Sequence, residues 1–324
     1  MICRGSEHLM NTGNNLFTRA MLVIFLVILA FTQLTSLALV DDSREALLLE
    51  TGRATKLQTP TSAPSSIKII SYNIRWRGGE DLQKLIELFK TDKEIGRADI
   101  IGLQEVDRNK KRTGNQNTAR QMAEALGMYY AWTAPPPAPA KDDKKPQEEE
   151  TGVLIMSVYP LTDVQRIVLP NEGPGGRRRV ALGATVKIGG RDVRVYSVHA
   201  EIRISNERRL EQFKAVIDDA QTHHAKIERV VVLGDFNTVT AKDVGETSDL
   251  FSTAKFTTPF TNNLTTWKTF ILEFKLDWLW LRGLQATAFG IDKKVGLSDH
   301  WPLWAVVALN GEKQKAGGES RKPE

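Results

Sequence analysis

Cysteine is almost absent from the sequence, which has only Cys3. One thiol can neither close an intramolecular disulfide nor build a multi-cysteine zinc site, so any metal must be held by oxygens or histidines. An excess of one charge sign is small too. Lys and Arg number 44 against 39 Asp and Glu, a net of +5, which suits an anionic partner without identifying one. No stripe of Arg and Lys interleaved with aromatics appears, so a dedicated nucleic-acid face is not written into the composition. Collagen-like and wholly disordered classes are excluded by 41% hydrophobic and 26% charged residues, which are globular proportions.

What is present begins with a long apolar run. MLVIFLVILAF spans 21–31, preceded by Arg4 and Arg19 and followed by Asp41 and Asp42. That pattern predicts export, with residues 1–40 a signal peptide or an N-terminal membrane anchor. Small residues at Ser36-Leu37-Ala38 suit cleavage, while the stretch to Val40 is about 20 residues, long enough to stay as an anchor. The expected location is therefore secreted or periplasmic, with membrane attachment if the segment is retained.

Residues 41–65 read as a solvated linker with a helical stretch at Glu45–Glu50, then a Pro, Ser and Thr cluster. A folded domain is expected over 66–310 and a disordered tail over 311–324. Strands are expected at SIKIISYNI (66–74), ADIIGL (98–103), MYYAWT (128–133) and GVLIMS (152–157), with amphipathic helices after the first two. RRVALGATVKI and RDVRVYSVH should form a hairpin about Gly189-Gly190, because such a turn needs positive φ angles. Ser205 should cap a helix, and RVVVLGDFN, KLDWLWL and WPLWAVVAL supply three more strands. The alternation implies a layered α/β domain. The proline-rich, charged segment 134–150 cannot fill a core and reads as an inserted loop, either a substrate gate or a length-tolerant insertion.

Polar residues stand at the ends of these apolar strands, where side chains reach the rim of a sheet. They are Asn73, Gln104-Glu105, His199, Asp235 with Asn237, Asp277, and Asp299-His300. With SYNIR (71–75), LQEVD (103–107), YSVH (196–199), GDFN (234–237), LDWLW (276–280) and SDHWPL (298–303) in this order, the chain resembles the endonuclease/exonuclease/phosphatase superfamily, which includes deoxyribonuclease I and neutral sphingomyelinases.

The resemblance implies an α/β fold: a four-layered α/β sandwich of two mixed β-sheets packed face to face, helices outside. It also implies a Mg²⁺-dependent phosphodiesterase, with Mn²⁺ as an alternative ion; nothing in the sequence suggests oligomerisation, and a monomer is expected. Glu105 corresponds to the metal ligand, with Asp299 as a second contact. Asp277 and His300 correspond to a pair in which the carboxylate orients the imidazole that acts on water, and Asp235 to a group that positions this water. Asn73 and Asn237 would donate to phosphate oxygens, and His199 would pair with a glutamate, for which Glu150 is the candidate.

Two departures stand out: Val153 where many bacterial relatives have Asn, and the length of the 134–150 loop. Arg178, Arg179, Arg208 and Arg209 are either phosphate contacts or solvated faces. The expected substrate is nucleic acid; the alternative is a phospholipid or sphingolipid headgroup, for which Phe256, Phe260 and Trp267 would have to form an exposed apolar hairpin. A non-catalytic binding module would have lost the acids and His300, which are all present.

Overall fold

The computed structural model describes residues 48–58, 60, 62, 64–137, 150–223 and 226–309. The 1–40 segment, the region 138–149 of the proline-rich loop and the 311–324 tail lie outside the described residues. No helix among the described residues is long and apolar enough to cross a membrane.

The strands are β1 (Leu49–Arg53), β2 (Ser66–Asn73), β3 (Ile100–Arg108), β4 (Tyr129–Thr133), β5 (Glu150–Ser157), β6 (Leu161–Val168), β7 (Val180–Val186), β8 (Val193–His199), β9 (Arg229–Asp235), β10 (Trp267–Lys268), β11 (Glu273–Phe274), β12 (Asp277–Arg282), β13 (Gln285–Ile291) and β14 (Leu303–Ala308). The helices are α1 (Gly79–Thr91), α2 (Thr118–Leu126), α3 (Asn206–His223) and α4 (Ala241–Thr253). One seven-stranded sheet runs β1-β4-β5-β3-β2-β14-β13, and a five-stranded sheet runs β12-β9-β8-β7-β6. Each contains one parallel pair, β2 with β3 and β8 with β9, and is otherwise antiparallel.

Strand periodicity explains the layers. Along β12, Leu279 and Leu281 point into the core between the sheets while Trp278 and Trp280 point to the helical side, as alternation with period two requires. β8 divides likewise, Val193 and Val195 inward and Tyr196 and Val198 outward. Strands buried on both faces read as continuous apolar runs. α3 and α4 cover the outer face of the five-stranded sheet with Phe213, Val216 and Phe251, the last stacked on Trp280 at 4.8 Å. α2 packs against β3 and β4, and α1 packs on α2. These are the two mixed sheets with outer helices that the resemblance implies.

Local chemistry sets the ends of several elements. The Asn117 side chain accepts from Arg120 N at 3.0 Å to start α2, Gly127 ends it at φ +66°, and Thr240 with Asp243 forms a reciprocal cap on α4. The Ser205 hydroxyl accepts from Arg208 N at 3.4 Å at the start of α3. Gly189 and Gly190 take φ +54° and +82° between β7 and β8.

The linker expectation is corrected for part of its length. Leu49–Arg53 is an edge strand paired with β4, Glu50 opposite Trp132, and the helical reading over Glu45–Glu50 fails at its described end. The reason lies far along the chain. The Glu50 carboxylate accepts from Tyr130 Oη (2.6 Å), Arg108 Nη1 (3.0 Å) and Arg120 Nη2 (2.9 Å), partners that local composition does not reveal. Three further strand regions, β6, β13 and the β10-β11 hairpin, also escaped the periodicity reading.

The sheets approach closely at Gly102 of β3, where an added Cβ would lie 2.2 Å from Leu233 Cδ1 of β9. Gly102→Val should therefore overpack the inter-sheet core and lower the unfolding free energy by about 1–3 kcal/mol. A urea melt of the variant with an unchanged midpoint would contradict this close packing.

Candidate active site

The two parallel pairs end at one rim. Asn73 closes β2 opposite Gln104 of β3, His199 closes β8 opposite Asp235 of β9, and antiparallel pairing brings Asp277 of β12 opposite Asp235. Hydrogen bonds tie the sheets together there, among them Asn73 Nδ2 donating to Asp235 Oδ2 at 2.9 Å across 162 residues of sequence. The same amide donates to Glu105 Oε1 at 3.3 Å.

Glu105 reaches the rim through a β-bulge. The pairing of β3 with β5 shifts register between Gln104 and Val106, and Glu105 sits at φ +57°. Such a bulge adds one unpaired residue and re-aims its side chain. Gln104 turns inward instead and donates to Ser197 Oγ at 3.1 Å. A left-handed glutamate is strained backbone of the kind that persists where surrounding structure over-determines it.

His300 Nδ1 lies 2.8 Å from Asp277 Oδ2, and its Nε2 is 3.8 Å from Asp235 Oδ2. Burial alone would lower the His300 pKa, but the carboxylates of Asp277 and Asp235 overcome it and push the value up to about 9. Burial raises Asp235 above the usual carboxylate range, with Asp277 adding to this and His300 opposing it. His199 goes the other way: burial, then the positive charge of Arg179, hold it well below an ordinary histidine. Arg179 Nη1 is 3.3 Å from His199 Nδ1. A guanidinium can only donate, so His199 Nδ1 accepts and the neutral ring carries its hydrogen on Nε2. That Nε2 is 3.6 Å from Asp235 Oδ2 and 4.0 Å from Glu105 Oε1.

Asn73, Glu105, His199, Asp235, Asn237, Asp277 and His300 thus gather at the rim. Asn237, at φ +54°, donates its backbone N–H to Asp235 Oδ1 (3.0 Å) and its amide to Ala200 O (3.0 Å). Asp299 adjoins His300, but its Oδ2 pairs with Arg75 Nη1 at 3.2 Å. Glu150 is not the partner of His199. It stands opposite Arg108 on β3 and accepts from Arg108 Nε at 2.7 Å, which leaves Arg179 beside the imidazole. Asn73 is likewise reassigned, since its two amide hydrogens are spent on Asp235 and Glu105.

Of the four arginines singled out in the sequence, only Arg179 faces the site. Arg178 pairs with Glu172, Arg208 accompanies Asn171 at 3.3 Å, and Arg209 is bound to Asp243 at 2.9 Å. Arg179 is held in turn by Glu201, 3.2 Å away, which also binds Arg177. Sequence reasoning missed Glu201; its position two residues beyond His199 is the signal that marks it. Val153 packs in the inter-sheet core rather than at the rim.

The donor set fits a hard divalent cation. Glu105 Oε2 and Asp277 Oδ1 are buried without a hydrogen-bond partner, and Asp235, Asp277 and His300 bring ligand atoms within 4.8 Å of one another. Buried carboxylate oxygens without donors are costly unless something positive faces them. Oxygen-rich sites with one or two carboxylates suit an ion that retains water and binds phosphate.

Buried acids, an Asp–His pair and amide donors at the rim of a two-sheet sandwich define a metal-dependent phosphoric ester hydrolase. The profile described as the Endonuclease/Exonuclease/phosphatase family matches residues 70–300, and the chain belongs to this family. Its members are hydrolases of phosphoester bonds with a general dependence on divalent metal. No curated protein matches the chain. Among solved structures it is similar to an endonuclease/exonuclease/phosphatase from Beutenbergia cavernae, with 19% identity and a TM-score of 0.60 over 76% of this chain and 72% of that one. It is also similar to ANGEL2, a 2',3'-cyclic phosphatase in complex with adenosine-2',3'-vanadate (15%, 0.56, 80% and 98%). A third is the 3' phosphatase NExo from Neisseria, bound to product DNA hairpin (19%, 0.52, 74% and 98%). At these identities the likeness is one of fold.

The opposite pKa shifts predict a split between the two rim histidines. In EDTA, ¹⁵N imidazole shifts should show His300 protonated at neutral pH and titrating near pH 9, with His199 neutral across about pH 6 to 8. A His300 midpoint at or below 6.5 would refute the Asp277–Asp235 account.

Proposed function

We propose that the chain is an exported, Mg²⁺-dependent phosphodiesterase that hydrolyses nucleic acid, with Mn²⁺ as an alternative ion. The observation that carries the reading is the arrangement of an unpartnered Glu105 Oε2 beside an Asp277–His300 pair whose Nε2 faces Asp235. A bound cation would neutralise charge on the phosphoryl oxygens and lower the pKa of water, with Glu105 as ligand and Asp235 and Asp299 adjoining it. Asp277 holds Nδ1–H of His300, so Nε2 is the atom that would take a proton from the attacking water once a bound cation offsets the Asp277 and Asp235 charge that otherwise keeps the ring an imidazolium. His199 Nε2–H and the second amide hydrogen of Asn237, which has no partner among the described residues, supply donors where negative charge builds on the phosphorus-bound oxygens. Asn73 keeps Asp235 and Glu105 in register.

A nucleic-acid substrate is supported by the cations at the rim, Arg75 and Arg179, by the net charge of +5, and by the DNA and adenosine ligands of two structural neighbours. Export is supported by the apolar run 21–31 behind Arg4 and Arg19. The full-length protein with Mg²⁺ should cleave plasmid DNA or RNA and lose this activity in EDTA. His300→Ala should lower turnover by at least about 10², and Glu105→Gln should shift the metal titration to higher concentration. Wild-type activity from His300→Ala would remove it from the role of base.

One observation favours a second reading, a phospholipid or sphingolipid headgroup as substrate. Phe256 and Phe260 are buried in the core, contrary to their candidacy as a membrane-entering hairpin. Trp267 stacks on Phe274 at 5.4 Å. Between these two rings, however, the β10-β11 hairpin carries Phe270, Ile271 and Leu272, which are 99%, 78% and 47% exposed. Its root is bonded to the site, Lys268 N donating to Asp299 O at 3.0 Å. Consecutive exposed apolar side chains suit a lipid interface. If lipid is the substrate, Phe270→Ser with Ile271→Ser should lower headgroup release from sphingomyelin vesicles by about 10-fold or more without altering hydrolysis of a soluble phosphodiester. An equal effect on both substrates would exclude this reading.

A further inference from the structure

Directly beyond Asn73 the backbone does something unusual for bulky residues. Arg75 and Trp76 both occupy the left-handed region, at φ +45° and +58°. Glycine and asparagine tolerate that region; arginine and tryptophan visit it only where other contacts impose it. Those contacts lead to the catalytic rim. Arg75 N donates to Asn73 Oδ1 at 3.1 Å, and Trp76 N donates to Glu105 O at 3.1 Å. The Arg77 guanidinium closes the turn from behind, bonded to Ile74 O at 3.1 Å and to Arg75 O at 2.8 Å. The indole is thereby fixed one backbone hydrogen bond from the proposed metal ligand.

The strained turn does not serve to bury the ring. Trp76 is 36% exposed, the only tryptophan among the exposed large apolar side chains of the described residues. It rests on Arg112, whose guanidinium carbon is 4.1 Å from the ring centre. Arg112 itself donates two bonds to the fully buried Asp107, at 2.7 and 2.9 Å, and Asp107 accepts a third from Thr151 Oγ1 at 2.7 Å. On the site side Arg75 approaches the indole at 5.6 Å while pairing with Asp299. Buried acid, guanidinium and indole form a stacked buttress that ends in a partly exposed aromatic ring, with Arg112 against it and Arg75 farther over it. A flat π-face next to positive charge, at the edge of a phosphodiester site, matches an aromatic ring joined to phosphate.

We infer that Trp76, supported by Arg112 and flanked by Arg75, is the platform on which the nucleobase next to the scissile phosphate stacks. The inference rests on the nucleic-acid reading and adds to it a way of holding the strand independent of base identity, since every base has a π-face. It also gives the strained turn a function, because a mobile indole would lose rotamer freedom each time a base was bound.

The test uses full-length protein with Mg²⁺ and two substrates of equal length and phosphate count, an oligothymidylate and its abasic counterpart. Trp76→Ala should raise KM for the oligothymidylate about 10-fold, leave kcat within about 2-fold, and leave KM for the abasic oligomer at the wild-type value. Trp76→Phe should restore most of the oligothymidylate affinity, and Trp76→Leu, which keeps apolar bulk but lacks a π-face, should behave as Trp76→Ala should the alanine variant fold poorly. Equal changes on both oligomers, or no change on either, would overturn the platform while leaving nuclease activity intact. A wild-type enzyme that cleaves neither these oligomers nor plasmid DNA nor RNA would instead remove the nucleic-acid reading, and the platform with it; should RNA alone be cleaved, an oligouridylate and its abasic counterpart take their place in the same comparison.

Discussion

Crowding of negative charge at one buried rim is the constraint on which the rest of the structure depends. Glu105, Asp235 and Asp277 converge where the two sheets meet, and the last two are almost wholly buried. Carboxylates in such a place repel one another and lose their hydration. Each remaining feature of the rim answers that cost. His300 lies between Asp277 and Asp235 as an imidazolium, Asn73 divides its amide between Asp235 and Glu105, and Asn237 offers its backbone N–H to Asp235. Arg75 and Arg179 stand at the periphery. The oxygens that none of these satisfy, on Glu105 and Asp277, are the ones left for a cation. Buried negative charge draws a cation, and the cation together with Arg75 and Arg179 would draw phosphate.

Strand direction delivers the charge to one place. In each sheet a single parallel pair brings two strand ends to the same edge, and packing the sheets face to face superimposes these edges. Antiparallel β12 contributes its first residue and the loop before β14 contributes Asp299 and His300. The inter-sheet contact is tight, with glycine at 102 against Leu233, so the groups from different sheets are positioned by a rigid core. A bulge at Glu105 and left-handed residues at 75, 76, 105 and 237 place backbone strain at this rim.

Around the rim, two apolar features face outward from opposite sides of the chemistry in sequence: Trp76 just after Asn73, and the Phe270 tip just before Asp277. Both are attached to the backbone of rim residues by hydrogen bonds, and both are of the kind that contacts a polymer or an interface. The first is stiff and flanked by cations; the second is aliphatic and aromatic together, at the end of a two-stranded hairpin.

Much of this was legible in the sequence. Polar residues closing apolar strands, at Asn73, Glu105, His199, Asp235, Asp277 and His300, announced both the rim and the family, because strand burial is a local property and a polar end to an apolar run has no packing reason to exist. Partner choice was not legible. His199 faces Arg179 and not Glu150, Asn73 is spent on Asp235 rather than on phosphate, and Leu49–Arg53 joins a sheet through Glu50. The helix expected near Glu50 fails for the same cause. Alternation and residue type determine which side chains reach a surface; which groups meet there is decided by contacts across tens to hundreds of residues, where strand register sets distances that no local pattern encodes.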